Sequence, residues 1–277
     1  MAINDSTAQP SVYPKTGVSE VYEDRALTQA VNSIYKNFGD IVSITDKGKT
    51  LRKFGRFDAV GTSFVTLQPE GGNETYATTN TIDKFSSSSG SDTQEITVEG
   101  HTIADGVLTF VSQTVTLAGQ VETALTTPLA RVTRLVNNNS TDFAGDIYVY
   151  EDDTVSAGVP QTASKIHMKV TEGNQSEKCS TSISNTDYYI ITGFSGYCYD
   201  KAAAVVEFIG EMREVGATNK AFKRVYSTAG GNGAPTVEAF DPPFIIPKNY
   251  DLRVRAKADG ANTDVGASFN GYLAKVI

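Results

Sequence analysis

The chain has 277 residues, 24 of them basic and 32 acidic for a net charge of −8, with 39% apolar and 20% charged side chains. The acidic balance argues against a nucleic-acid binder, the near-average composition excludes wholesale disorder, and no apolar run approaches the ~20 residues of a membrane span. Two cysteines, Cys179 and Cys198, allow at most one disulfide and no staple framework, so stability must come from packing.

The first eighteen residues mix polar side chains with Pro10 and Pro14 and show no period, which predicts an extended arm. Their start, Met1 to Ser6, has neither a basic n-region nor an apolar h-segment, and the expected compartment is cytoplasmic. From Ser19 to Phe38 the residues Leu27, Val31, Ile34 and Phe38 recur at helical spacing, Ser19 offers an N-cap, and Gly39 stands where a helix ends. One short helix is expected there.

From Asp40 onward the period changes to two. Ile96 and Val98 alternate with Glu95, Thr97 and Glu99; Ile166, Met168 and Val170 with Lys165, His167 and Lys169; Leu252, Val254 and Ala256 with Arg253, Arg255 and Lys257. Such alternation marks half-buried strands. Further β-branched and aromatic runs at 107–117, 129–136, 146–150, 188–199, 205–215, 222–226 and 264–277 bring the total to at least ten. Polar spacers at 70–74, 86–92, 137–140, 151–153 and 230–233 read as hairpin tips and loops. Strands without intervening helices cannot build βαβ units, so the expected class is mainly β, an antiparallel β-sandwich or jelly roll behind the arm and helix. The expected regions are 1–45 for arm and helix, 46–160 for a β-sandwich and 161–277 for a jelly-roll sandwich, the last two able to form one domain.

Catalytic and metal motifs are thin. His101 and His167 are the only histidines; His167 shares the strand face of Lys165 and Lys169, and His101 follows Gly100 in an expected turn, so both read as surface residues. Neither HExxH nor CxxC occurs, and Gly193-Phe194-Ser195-Gly196 has the wrong spacing for a nucleophile elbow. Asp259 to Asp264 clusters oxygen ligands but lacks the closing bidentate glutamate of a calcium loop. Glu151, Asp152 and Asp153 follow an aromatic strand, the setting of glycosidase carboxylates, yet read first as a solvated acidic loop. No catalytic residue, metal ligand or cofactor is assigned.

One charge feature remains. Between Asp46 and Asp58 stand Lys47, Lys49, Arg52, Lys53 and Arg56 with no acid among them, a basic stretch on an acidic chain. It reads as a solvated loop or as a docking patch for an acidic protein surface, ahead of nucleic-acid phosphates.

The order of segments over roughly residues 50–277 resembles a family of tailed-bacteriophage virion proteins. The resemblance is carried by Phe54-Gly55-Arg56, Val60-Gly61-Thr62-Ser63-Phe64, the Ser86 to Glu95 strand entry, Thr97-Val98-Glu99-Gly100, Thr114 to Gly119, Arg131-Val132-Thr133-Arg134 and Gly145 to Val149. Phe240, Pro242 to Pro247 and Asp251 to Ala256 complete it and resemble the closing hairpins of viral jelly rolls. It implies a non-enzymatic structural component of a phage particle and brings no catalytic residues. The leading expectation is a capsid decoration or cement protein, a homotrimer that binds the major capsid protein and neighbouring copies of itself, with no nucleic-acid or membrane partner. The partner-binding residues would be Lys47, Lys49, Arg52, Lys53 and Arg56 together with Leu27, Val31, Ile34 and Phe38. A tail or fibre component stacking host glycans on Tyr188, Tyr189, Phe194, Tyr197 and Tyr199 is the alternative.

Overall fold

A computed structural model describes residues 50–70, 74–171, 173–199, 205–231, 235–260 and 262–275. The arm, the helix expected at Leu27, Val31, Ile34 and Phe38, and the side chains Lys47 and Lys49 lie outside the described residues. Eighteen strands carry the rest: β1 (Thr50–Val60), β2 (Val65–Thr66), β3 (Ile82–Ser87), β4 (Glu95–Ala104), β5 (Val107–Thr116), β6 (Thr123–Leu129), β7 (Arg131–Asn137), β8 (Ile147–Glu151), β9 (Val155–Ser156), β10 (Val159–Pro160) and β11 (Ile166–Val170). They are followed by β12 (Ser180–Ser182), β13 (Asp187–Cys198), β14 (Val205–Glu214), β15 (Lys223–Gly231), β16 (Thr236–Ile246), β17 (Tyr250–Ala258) and β18 (Thr263–Lys275). Among the described residues the helical content is one 3-10 turn, Ala163–Lys165.

Two facing sheets hold eight strands in the orders β1-β18-β13-β16 and β12-β17-β14-β15, all paired antiparallel, and the short β2 adds to the second beside β17. Counted in chain order these are first-eighth-third-sixth and second-seventh-fourth-fifth, the strand order of a jelly roll. The expected fold class is therefore realised, and its first strand, β1, lies far upstream of the other seven. Between β2 and β12 the chain builds a second sandwich from the sheets β11-β8-β3-β6 and β5-β4-β7, then returns to the jelly roll.

Each sandwich has its own core. In the jelly roll, Tyr189, Phe194, Phe208, Leu252, Val254 and Phe269 are buried between the sheets, with the Phe194 and Phe208 rings edge to face at 5.6 Å. In the inserted sandwich Ile82, Phe85, Ile96, Val98, Leu135 and Met168 do the same. The alternation of β4 and β17 follows from this: Ile96, Val98, Leu252, Val254 and Ala256 face inward and their charged neighbours outward.

Where the strict period fails, a bulge is the cause. The register slips between Ile166 and Met168 in β11, where His167 is the extra residue, and opposite Glu99 and Gly100 of β4, where Thr133 of β7 is the extra one. An extra residue in one strand turns every following side chain to the other face. His167, expected at the surface but the extra residue of β11, is consequently buried at 4% exposure, whereas His101, also expected at the surface, keeps the outer face of β4 with Thr97 and Glu99 and is buried at 3% because the jelly roll covers that face. A third slip, between Ile191 and Gly193 in β13, puts both Tyr189 and Phe194 in the core, which removes them from the expected aromatic face.

Two spacers are also corrected. Ser86 and Ser87 are buried strand residues rather than loop, because the fully buried Asp92 accepts hydrogen bonds from the Ser87 hydroxyl and from the amides of Ala144 (2.7 Å) and Gly145 (3.1 Å). The strands on either side of the Gly230 to Gly233 spacer pair into different sheets, so it does not close a hairpin. Cys179 and Cys198 are buried free thiols of the jelly-roll core. Since no disulfide exists to reduce, the thermal midpoint should be the same with and without dithiothreitol; a drop of several degrees on reduction would contradict this assignment.

The sandwiches meet through matched contacts. The hairpin between β4 and β5 turns on Asp105 and Gly106, both at positive φ, the Asp-Gly turn that suits the twist of paired strands. Asn249 grips it: its Oδ1 accepts from the Leu108 amide (2.7 Å) and its Nδ2 donates to the carbonyls of Gly106 (2.8 Å) and Val215 (2.7 Å). Ile103, Leu108, Ala130 and Val215 form a small apolar cluster beneath.

Candidate functional site

The start of β1 and the residues of and just after β12 flank a cleft of about 650 Å³, roofed by β4, β5 and β7 of the inserted sandwich. Its volume falls within the 300–1,000 Å³ typical of ligand sites. Leu51, Arg52, Lys53 and Phe54 line one side consecutively, and Thr181, Ser182, Ile183 and Ser184 the other. Among the described residues β1 is the edge of its sheet, pairing with β18, and β12 is at the edge of the facing sheet.

Two members of the basic stretch, Arg52 and Lys53, lie here, on opposite faces of β1 because strand side chains alternate. Arg52 is exposed, and among the described residues it has no ion pair. Lys53 is buried at 6% exposure, and its ammonium donates to the carbonyl of Thr133 on β7. Burial, helped by the neighbouring Lys178 charge, lowers its pKa to about 7. In its described part, Arg52, Lys53 and Arg56, the basic stretch is thus strand rather than loop, and the three do not form one uniform patch. Arg56 points away from the cleft and is satisfied by Asp58 (2.6 Å) and Asp264 (3.8 Å).

Other charges in the cleft are paired internally. Arg134 meets Glu99 at 3.5 Å; Lys178 meets Glu74 at 2.7 Å and donates to the His167 carbonyl at 2.9 Å; Asp187 accepts from the hydroxyls of Ser184 and Thr186. His101 packs its ring on Phe110 with centroids 5.7 Å apart, and its Nδ1 has no hydrogen-bond partner among the described residues. Burial lowers its pKa to about 4, so the imidazole is neutral at physiological pH. Reading the sequence missed His101 as a cleft residue; alternation places it on the outer face of β4, and nothing local shows that the jelly roll covers that face.

Behind the cleft stands a charge cluster that fixes the roof to the jelly roll. Asp251, fully buried on β17, accepts from Arg131 Nε (3.0 Å) and Nη2 (3.1 Å) on β7, from Arg213 Nε (2.9 Å) on β14 and from the Ser182 hydroxyl (2.7 Å) on β12. All four lone-pair positions of the carboxylate are used. Tyr76 lies between the two guanidinium groups, 5.0 Å from Arg131 and 4.3 Å from Arg213, and Phe222 continues the stack to Arg253 at 3.8 Å.

The remaining sequence candidates have structural employment. Glu151 lies 2.9 Å from His167 Nε2, and Asp153 accepts from the Thr162 amide (2.7 Å) and hydroxyl (3.0 Å), so this acidic loop braces its neighbour. Tyr197 and Tyr199 stack at 4.7 Å, with Tyr199 64% exposed. Among the described residues no three His, Cys, Asp or Glu side chains are grouped to hold a metal ion.

No family model and no curated protein matches the chain. Among solved structures, the infectious bursal disease virus Gx strain superimposes with a TM-score of 0.24 at 10% identity, covering 84% of this chain and 73% of that one. The VP2 subviral particle of the same virus gives 0.21 at 12% identity over 88% and 77%, and its T13 viral particle 0.20 at 11% over 93% and 82%. Superpositions at this level assign neither a family nor a function.

Proposed function

We propose that this chain is a non-enzymatic structural protein of a tailed-bacteriophage virion, a capsid decoration or cement protein. In this reading it joins the head during assembly in the host cytoplasm and binds the major capsid protein and neighbouring copies of itself as a homotrimer. The observation that carries the reading is the jelly roll with a second sandwich set between its first two strands and locked to it by a buried carboxylate. Jelly rolls serve both viral capsids and lectins, so the fold alone leaves both open. The segment order from Phe54 to Ala256 favours the virion.

The surface supports binding through protein rather than chemistry. Large apolar side chains stand exposed at sheet margins, Val237 at 74% on β16 and Phe110 at 49% on β5, and edge strands offer unpaired backbone to a neighbour. A tail or fibre role in glycan binding draws on one feature, the pair of half-buried Tyr197 and exposed Tyr199. Undecorated heads incubated with the purified protein should acquire icosahedrally ordered density for it, and a glycan array should stay blank. Arg52→Glu should lower occupancy while shifting the melting point by no more than an exposed charge does, ~0–1 kcal/mol. Absence of this chain from the reconstructed shell would reject the decoration reading.

A further inference from the structure

We propose that the cleft between β1 and β12 is the seat of an extended acidic segment of a partner chain, which adds along the free edge of β1 with its carboxylates toward Arg52 and Lys53. This deepens the structural-protein reading and rests on it for the existence of a partner.

Three features select that occupant. The first is backbone: Leu51 to Phe54 line the cleft consecutively along an edge strand, about 13 Å at ~3.3 Å per residue, which suits a peptide lying as an added strand. The second is charge complementarity. Of the cations in the cleft, Arg134 and Lys178 are matched to Glu99 and Glu74, whereas Arg52 and Lys53 form no ion pair among the described residues, Glu99 acting on Lys53 only at longer range, and the two cleft acids are already engaged. The cleft is left cationic on a chain of net −8. The third is the buried, unpartnered Nδ1 of His101 at the cleft wall, since such groups normally have a partner. Leu51, Phe54, Phe110, Ile183 and Leu273 supply apolar surface for the alternate side chains of a strand.

A carboxylate brought to Lys53 stabilises its ammonium form, so binding should take up a proton near neutrality and weaken as pH rises through about 7. The charged groups facing Lys53 are Lys178, Arg134 and Glu99, with the Cys179 thiol nearby; burial holds that thiol neutral.

The test uses the full-length protein and the fluorescein-labelled hexapeptide Val-Glu-Glu-Val-Glu-Glu, whose adjacent glutamates fall on both faces of an added strand, read by anisotropy, with its lysine-for-glutamate counterpart and inorganic phosphate as controls. The acidic peptide should bind, more tightly at pH 6 than at pH 8. Arg52→Glu should weaken it about tenfold with an unchanged melting point, and hydrogen exchange at Leu51 to Phe54 should slow on binding. Equal binding of the basic peptide, wild-type affinity in Arg52→Glu, or full displacement by low millimolar phosphate, the mark of a small-anion site, would overturn the proposal. Head decoration by the same Arg52→Glu protein is scored separately: heads that never bind wild-type protein sink the decoration reading, whereas heads decorated equally by both proteins, with peptide binding lost, sink only the cleft as the contact.

Discussion

Asp251→Ala should cost about 3–5 kcal/mol of stability, because it strands the guanidinium groups of Arg131 and Arg213 in a buried site with no counter-charge. At 2–4 °C per kcal/mol for a chain of this size the melting point should fall by about 10 °C. The pair spans the two sandwiches, so the loss should appear in both: amides of β7 and of β17 should exchange faster together. Replacing Arg131 and Arg213 by methionine in the same protein should recover much of the loss, since the penalty comes from unpaired charge rather than from a missing attraction. The acid limb gives an independent check. Burial alone would raise the Asp251 carboxyl, but Arg131, Arg213 and the Ser182 hydroxyl outweigh it and hold the pKa below the ordinary 3.8. A carboxylate with a depressed folded pKa stabilises above its unfolded pKa, and that stability disappears as pH falls through the folded value. Wild type should therefore lose stability below about pH 4 more steeply than Asp251→Ala. A loss under 1 kcal/mol at neutral pH, or parallel acid limbs, would show that the cluster is incidental.

The same cluster shows how far the sequence could be read. Asp251 begins a run whose alternation, Leu252, Val254 and Ala256 inward, was visible, and so was the all-β class. Its partner Arg131 was visible only as part of a strand, because nothing local links it to a carboxylate 120 residues on. The jelly-roll order was hidden for the same reason: β1 pairs with β18, Phe54 opposite Ser268, and a pairing at that separation leaves no periodic trace. Bulges were the other barrier. One added residue in β11 moved His167 inside, and no composition rule announces it; His101 stays on the outer face of β4 and is hidden by the jelly roll, a covering that no local pattern shows. The basic stretch was legible as charge. Alternation carried through Arg52-Lys53-Phe54-Gly55 separates the exposed arginine from the buried lysine, a distinction that neither the loop nor the docking-patch reading of the charges makes.

Lys53→Met should stabilise the protein at and below neutral pH by several kcal/mol, and the gain should vanish in alkali. In the unfolded chain the ammonium titrates near 10.5, while burial and the Lys178 charge bring it to about 7 in the folded state. Between those values the unfolded chain binds more protons, so wild-type stability rises with pH from about 7 to about 10.5. Below pH 7 both states are protonated, and the folded state carries the full cost of a buried cation, on the order of 5 kcal/mol at 1.36 kcal/mol per unit. Methionine keeps the unbranched stem and removes the charge, so the pH slope should flatten and its stability should exceed wild type most at pH 6. Guanidinium melts at pH 6, 8 and 10 read this directly, and a destabilised Lys53→Met at pH 6 would refute it. A stabilised variant would leave a question of selection. An ammonium that costs stability in the isolated chain, lining a cleft with Arg52 and forming no ion pair among the described residues, is what a binding site holds when the missing charge arrives on a partner. The Lys53→Met protein should then be harder to melt and poorer at holding the acidic peptide, with its peptide affinity independent of pH between 6 and 8.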